Sequence, residues 1–442
     1  MKMSLFRNAF VALGLASAAG LLSAAPNPAQ PVPDTLDLPT ALNFALENNF
    51  SIRQAKERIR QQEGVVFEVS ASQLPNLTAS GSYQRDARQV DTYGDSSNWG
   101  LRITATQVLY AGGGVTASIR SQKLTLDAAT LALQSEINDA LLDVRTKFYT
   151  LLVDREKIKV QEQNVDLLKR QLQDVRSRYE AGTVSNFEVL RAEVALANAQ
   201  PALITARNDY RLAIEQLRQS LGFVTATEPN ITKTPEFVGS LDFVPVSYEL
   251  RPALASAREK RADLQRLYKL QTAAEEGVLV RRAGNLPNLS LFGGYGWAKA
   301  PTTESFSHAR DGVTVGVQSS WAIFDGRATA GRVIQAKSLL EQVKLSVAEA
   351  ELTVDVDVRR AISTLQQATE LAEASKKVIE QAEEALRLAN ARFGAGTATQ
   401  LDVLTAQTDL TTARLNQLQA YYAYNVSVAN VRRAMGLTDE MK

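Results

Sequence analysis

Two periods of hydrophobic spacing take turns along this chain, and the sequence of turns is made twice. From Ala41 to Ser72, and again from Ala253 to Ala283, apolar residues recur at helical spacing. Each stretch stops at a Leu-Pro-Asn step, Leu74-Pro75-Asn76 or Leu286-Pro287-Asn288. A helix does not continue through it, because proline has no amide donor and its ring crowds the preceding turn. Beyond the step the period falls to two. Leu77, Ala79, Gly81 and Tyr83 alternate with Thr78, Ser80, Ser82 and Gln84, and Trp99, Leu101, Ile103 and Ala105 alternate with Gly100, Arg102, Thr104 and Thr106. In the second passage Leu289, Leu291, Tyr295 and Trp297 share a face, as do Val313, Val315, Val317 and Trp321 on the returning strand. The pattern predicts strand hairpins over residues 76–110 and 288–324, apolar on one side and polar on the other, as in the wall of a membrane barrel.

Aromatic residues mark the ends of these strands. Tyr83, Trp99, Tyr110, Tyr295, Trp297, Trp321 and Phe324 are placed to form the two girdles of a barrel at its bilayer interfaces. A half-buried sheet in a soluble sandwich alternates in the same way, but two isolated hairpins in an otherwise helical chain do not build one. Four strands also leave open edges, whose unpaired backbone groups lipid cannot satisfy. The chain must therefore oligomerise to complete its membrane wall.

Helical spacing then returns for a long run. Residues 114–181 and 328–395 are nearly free of breakers, about 95 Å at 1.5 Å per residue for the Thr116–Tyr179 stretch. Ile137, Leu141, Val144, Phe148 and Leu151, resumed by Val165, Leu168, Leu172, Val175 and Tyr179, keep a three-four spacing. Val358, Ile362 and Leu365, then Ile379, Ala382, Leu386, Ala389 and Phe393, repeat it. This predicts a coiled-coil seam, and a second stripe through Leu142, Tyr149 and Leu152 predicts contacts on two sides. Gly182 and Gly396 end these helices, and return helices follow over 186–221 and 400–435, the first carrying Pro201 as an expected kink. Ser185 to Glu188 and Thr399 to Asp402 both have the spacing of a reciprocal N-terminal cap.

The doubling is an internal repeat. A shift of 214 positions takes Arg178-Tyr-Glu-Ala-Gly-Thr-Val-Ser-Asn-Phe-Glu-Val-Leu190 to Arg392-Phe-Gly-Ala-Gly-Thr-Ala-Thr-Gln-Leu-Asp-Val-Leu404, Tyr110-Ala-Gly112 to Phe324-Asp-Gly326, and Leu221-Gly222 to Met435-Gly436. Two copies of one unit, 38–222 and 250–436, are expected on either side of an equatorial connector, 223–249, that holds Pro229, Pro235 and Pro245.

Composition adds the compartment and removes several activities. Lys2 and Arg7, the apolar run Ala9 to Leu22 and the small residues Ser23-Ala24-Ala25 have the layout of a secretory signal peptide over residues 1–25, followed by Pro26, Pro28, Pro31 and Pro33. There is no cysteine for a disulfide or a lipid anchor. A net charge of +1, from 49 basic and 48 acidic residues, leaves no footprint for nucleic acid. Gly112-Gly113-Gly114 lacks the Lys-Ser or Lys-Thr of a phosphate loop and reads as a corner between strand and helix. His308, the single histidine, has no partner for a metal or a nucleophile. No enzyme, cofactor or metal is expected.

With its two repeats, its strand hairpins and the tips Gly182-Thr183-Val184-Ser185 and Gly396-Thr397-Ala398-Thr399, followed by Glu188-Val-Leu190 and Leu401-Asp-Val-Leu404, the chain resembles the TolC family of outer-membrane efflux ducts over nearly its whole length. The resemblance implies an α+β membrane protein: a long antiparallel α-helical coiled-coil barrel in the periplasm, and a transmembrane β-barrel completed by trimerisation with four strands per chain. It implies a homotrimer that exports small molecules or polypeptides, recruited through its tips by a periplasmic adaptor and an inner-membrane pump. It also implies a periplasmic constriction at Asp402 with Thr405 and Glu188, where three copies of Asp402 would favour cations. Capping alone is the plainer role for Asp402, and Thr405 stands where relatives often carry a second acid. Phe393 and Ala398 replace the tyrosine and arginine of a latch found in relatives. A periplasmic adaptor and a structural coiled-coil protein are the rival readings; neither accounts for the aromatic-bounded strands.

Overall fold

The computed structural model describes residues 34–85, 97–222, 235–299 and 309–437. The expected signal peptide, the turns of both strand hairpins with His308, and Pro229 lie outside the described residues. The elements run β1 (Thr35–Leu36), α1 (Leu38–Asn48), α2 (Phe50–Ser70), β2 (Asn76–Arg85), β3 (Ser97–Ala111), α3 (Gly114–Glu180) and α4 (Asn186–Leu221). They then repeat as β4 (Glu236–Phe237), α5 (Leu250–Lys260), α6 (Ala262–Arg282), β5 (Asn288–Lys299), β6 (Ala309–Ser320), α7 (Ala328–Gly394) and α8 (Gln400–Ala434). Both α3 and α7 have 67 residues, about 100 Å each. Helix α4 stays continuous through Pro201.

One long first helix per repeat is expected from the pattern, and the structure divides it. The backbone turns extended at Asn49 and at Arg261, so α1 and α2 are separate helices, as are α5 and α6. The cause lies in the return helices. Gly222, at the end of α4, is so close to this break that a Cβ would stand 2.3 Å from the Asn48 carbonyl oxygen. At Gly436 a Cβ would stand 2.7 Å from the Arg261 amide nitrogen. Asn49 closes the first junction: its side-chain amide donates to Ser220 O at 2.6 Å, and its oxygen accepts from the Ser51 and Ile52 amides that begin α2. Arg261 closes the second by pairing with Asp263 and Asp357. Each return helix therefore ends against a break, and the short first helix covers the next stretch of the long one.

The core follows from that stacking. Leu42 and Phe44 of α1, Leu141, Val144, Phe148 and Leu151 of α3, and Leu217 of α4 are buried together with Phe237 of the connector. Ala253, Val358, Ile362, Leu365, Tyr424 and Val431 form its counterpart in the second repeat. Of the expected seam, Val165, Leu168, Leu172 and Val175 are buried, whereas Tyr179 is exposed and Ile379 to Phe393 are only half-buried in the single chain. The described part of the connector binds both long-helix layers: Arg155 donates to Phe237 O and Gly239 O at 2.7 Å each, and Phe243 packs on Tyr421 and Tyr424.

The sheet is antiparallel in the order β2-β3-β5-β6, so the two hairpins lie side by side and β2 and β6 are its edges. One chain does not close it, an arrangement consistent with a barrel completed by trimerisation. Trp321 and Phe324, expected within the last strand, lie past its end at Ser320.

Candidate functional site

Alternation along each strand places side chains on a face, and the register decides whether the four faces agree. Tyr83 lies across from Trp99, Gly81 from Leu101 and Ala79 from Ile103. Leu101 in turn lies across from Trp297, Ile103 from Tyr295 and Ala105 from Gly293. Tyr295 lies across from Val313, Gly293 from Val315 and Leu291 from Val317. All four apolar sets therefore fall on one surface. It is open: Leu77 and Val313 are each 72% exposed and Val315 71%. A continuous, exposed apolar surface of this size on a strand sheet is a face for lipid.

A β-bulge between Val108 and Tyr110 completes this face. Tyr110 pairs with Leu289 while Val108 pairs with Ser290, leaving Leu109 as the extra residue. Without that insertion Tyr110 would stand on the polar side; with it, Tyr110 joins Leu289 and Leu291. Tyr83, Trp99, Tyr295 and Trp297 gather toward one end of the sheet, where the Tyr295 and Trp297 rings meet edge-on at 4.5 Å. Tyr110, Trp321 and Phe324 are at the other end, where the Trp321 indole donates to Asn285 O at 3.0 Å. From Trp99 to Tyr110 is about 36 Å along the strand, or roughly 28 Å of height at a barrel-like tilt of ~40°. That matches the apolar thickness of a bilayer.

The opposite end of the molecule carries the tips. At the first, Gly182 is left-handed, its amide donates to Tyr179 O and the Thr183 amide donates to Arg178 O, both at 2.9 Å. The Thr183 hydroxyl donates to the same Arg178 carbonyl at 2.9 Å. Gly396 and Thr397 repeat every bond on Phe393 and Arg392. The Gly-Thr pair thus has a physical cause: glycine supplies the turn that ends the helix, and threonine adds a second donor to a carbonyl the helix leaves unpaired. Val184 is half-buried against Leu172, Val175 and Val189, and Ala398 is also half-buried.

The acids differ between the tips. The Asp402 carboxylate accepts from the Thr399 amide at 2.7 Å and its hydroxyl at 2.8 Å, while the Asp402 amide points back to the Thr399 hydroxyl at 3.4 Å. These bonds, backbone first and hydroxyl second, with Arg392 adding its charge, hold the exposed Asp402 carboxyl below the usual carboxylate range. The first tip departs from the expected cap: Ser185 makes no side-chain bond to its helix. Glu188 turns instead to Arg191, 3.5 Å away, and to Gln400. Oriented with its amide nitrogen toward the first tip, the buried Gln400 donates to Glu188 Oε2 at 2.7 Å and Glu188 O at 3.2 Å.

Against known proteins, the chain matches the outer membrane efflux protein family over residues 41–223 and 253–437, one match per repeat. The chain belongs to that family. Protein CyaE of Bordetella pertussis is 26% identical over 392 residues, covering 88% of this chain and 82% of CyaE. Outer membrane protein TolC of Escherichia coli K12 is 23% identical over 392 residues, covering 85% and 77%. In the crystal structure of the Campylobacter jejuni CmeC outer membrane channel, 91% of this chain superposes on 87% of that one with a TM-score of 0.80 at 16% identity, a shared fold.

As an outer membrane efflux protein, the chain has its sheet in the outer membrane and its helices in the periplasm, and its family is one of channels rather than of enzymes. Among the described residues no helix is long and apolar enough to cross a membrane. The tips lie at the far end of the helices from the strands. They bring Glu188 to Gln400, whereas Thr405 stays exposed one turn beyond Asp402. Gln400 was not legible as a site residue, because a lone glutamine at a helix start has no distinguishing pattern. Phe393 does meet a cation: the Arg178 guanidinium stands 4.8 Å from its ring centroid and 3.0 Å from the Asp174 carboxylate. That contact joins α3 to α7, and no spacing rule connects two residues so far apart in sequence.

Proposed function

We propose that three copies of this chain form one duct, in which twelve strands close the membrane barrel and twelve long-helix layers form a periplasmic tunnel, and that it is the exit stage of a tripartite efflux or type I secretion system. One observation carries this reading: a four-stranded sheet with two open edges and a single continuous apolar face, on the same chain as helices about 100 Å long. Residues 38–222 and 250–436 are then two repeats, each giving a strand hairpin to the barrel and helices to the tunnel, with 223–249 as their equatorial connector. Neighbouring helices support closure by further copies. Among the described residues, helix α6 packs extensively on both α3 and α7, and α8 likewise on α7 and α3, whereas α2 and α4 pack extensively on α3 and not on α7. The next copy's α7 would cover α2 and α4 in the same way.

In this duct the two Gly-Thr tips dock a periplasmic adaptor that couples to an inner-membrane pump, and Asp402, Thr405 and Glu188 surround the constriction. Detergent-extracted protein should run as a heat-dissociable trimer and conduct in planar bilayers. A water-soluble monomer without conductance would overturn the assembly. Asp402→Ala should lower cation preference, and cysteine crosslinks placed at Thr183 and Thr397 should capture an adaptor. An adaptor that bound equally well after both tips were replaced would remove their docking role.

A further inference from the structure

The two faces of the sheet differ in charge as well as in hydropathy. Arg102 and Arg310 fall one residue out of step with the apolar set and so stand on the opposite face. The register puts them on neighbouring rungs: Arg310 lies across from Ala298, which lies across from Gly100, and Arg102 lies across from Gly296, which lies across from Gly312. Glycine at 296 leaves the space alongside Arg102, whose Nε would be 3.7 Å from a Cβ placed there. Neither guanidinium has a carboxylate partner among the described residues, although Arg258, Arg261, Arg414 and Arg433 all have one. Among the described residues of the four-stranded sheet there is one acid, Asp311, and it stands on the apolar face, where the Tyr295 hydroxyl donates to it.

Resting on the trimeric barrel proposed above, this places six unpaired arginines around one lumen. Twelve strands ~4.8 Å apart and tilted ~40° enclose a backbone circle roughly 24 Å across. The axis is then about 12 Å from the wall, and side chains that reach inward come within a Debye length, ~8 Å at physiological salt, of anything passing along it. Both residues lie toward the hairpin-loop end, away from the helices. We propose that Arg102 and Arg310 form a ring that binds multivalent anionic groups, phosphate or carboxylate, in the outer part of the barrel. Charge along the duct is then bipolar, acidic at the tips and basic near the exit.

The test uses full-length trimers in planar bilayers at low salt, with tripolyphosphate added to one side at a time. Block should come from the barrel side at roughly tenfold lower concentration than from the tip side, and should weaken as salt rises. Arg102→Gln with Arg310→Gln should raise the half-blocking concentration about tenfold or more, because the charges are gone. Arg102→Lys with Arg310→Lys should keep the block, since a charge rather than a guanidinium shape is required. A conducting trimer whose glutamine variant is blocked like the wild type would overturn the ring and leave the duct reading intact. Absence of both trimer and conductance would overturn the duct and the ring with it.

Discussion

The first and second repeats reach the same backbone at two demanding places, the helix break and the tip, and hold it there with different side chains. At the break, Asn49 works through neutral hydrogen bonds where Arg261 works through two carboxylates. At the tip, Ser185 leaves its helix uncapped and Glu188 turns to Arg191 and Gln400, where Thr399 and Asp402 close on each other. The glycines do not vary: 182 and 396 at the tips, 222 and 436 at the breaks, all left-handed. Conformation and clearance are thus the fixed requirements, and the polar bonds around them can be met in more than one way.

The largest effects should come from the fixed part. Gly222→Ala combines a left-handed alanine with a Cβ 2.3 Å from a carbonyl oxygen, and Gly436→Ala repeats the problem at 2.7 Å. Each should cost roughly 2–5 kcal/mol. Gly182→Ala and Gly396→Ala meet open space and should cost only the left-handed conformation, about 1–2 kcal/mol. Thermal loss of helical circular dichroism in detergent measures the order, and a tip variant as damaging as Gly222→Ala would contradict the clearance argument.

The breaks should separate next. Burial works against charge on Asp263, but Arg261 outweighs it and holds that carboxyl below the usual range. Arg261→Ala removes a side chain only 10% exposed and leaves two acids without their cation. The acids are themselves partly exposed, so the cost falls below that of a fully buried pair, at about 2–3 kcal/mol. Asn49→Ala loses a helix cap and one bond to Ser220, about 1–2 kcal/mol. Equal costs would mean that the ion pairs at Arg261 add nothing. At the tips, Thr399→Ala should cost about 1 kcal/mol and Ser185→Ala almost nothing, read as hydrogen-exchange protection of the first turn of α8 and of α4.

Much of the fold was legible because strong periodicity and breakers coincide. The Leu-Pro-Asn steps, the alternation from Leu77 to Thr106 and the Gly-Thr tips each announce one element, and the 214-residue shift doubles the signal. What stayed hidden depends on contacts between distant segments. Asn49 is an ordinary cap residue within a helical pattern until Gly222 is packed beside it. The bulge at Leu109 follows from pairing with β5, and the place of Arg102 on the polar face acquires meaning only when Arg310 is set on the same face two strands away. Local pattern specifies elements; which residues meet is a property of the register and the stacking.

The smallest expected effect tests the difference between the tips most directly. Asp402 is held below its ordinary pKa by bonds that exist only in the folded tip. Its contribution is therefore fully present above the unfolded value of about 3.9 and is lost as pH falls through the lower folded value. Hydrogen exchange of the first turn of α8, corrected for the intrinsic pH dependence, should show protection that holds from about pH 6 to below pH 4 and then drops. Asp402→Asn should remove the drop, because an amide does not titrate, and should leave the first tip unchanged. If the wild type and the variant lost protection together, the Thr399 hydroxyl alone would be maintaining the cap. Asp402 would then be free to present its charge to the constriction.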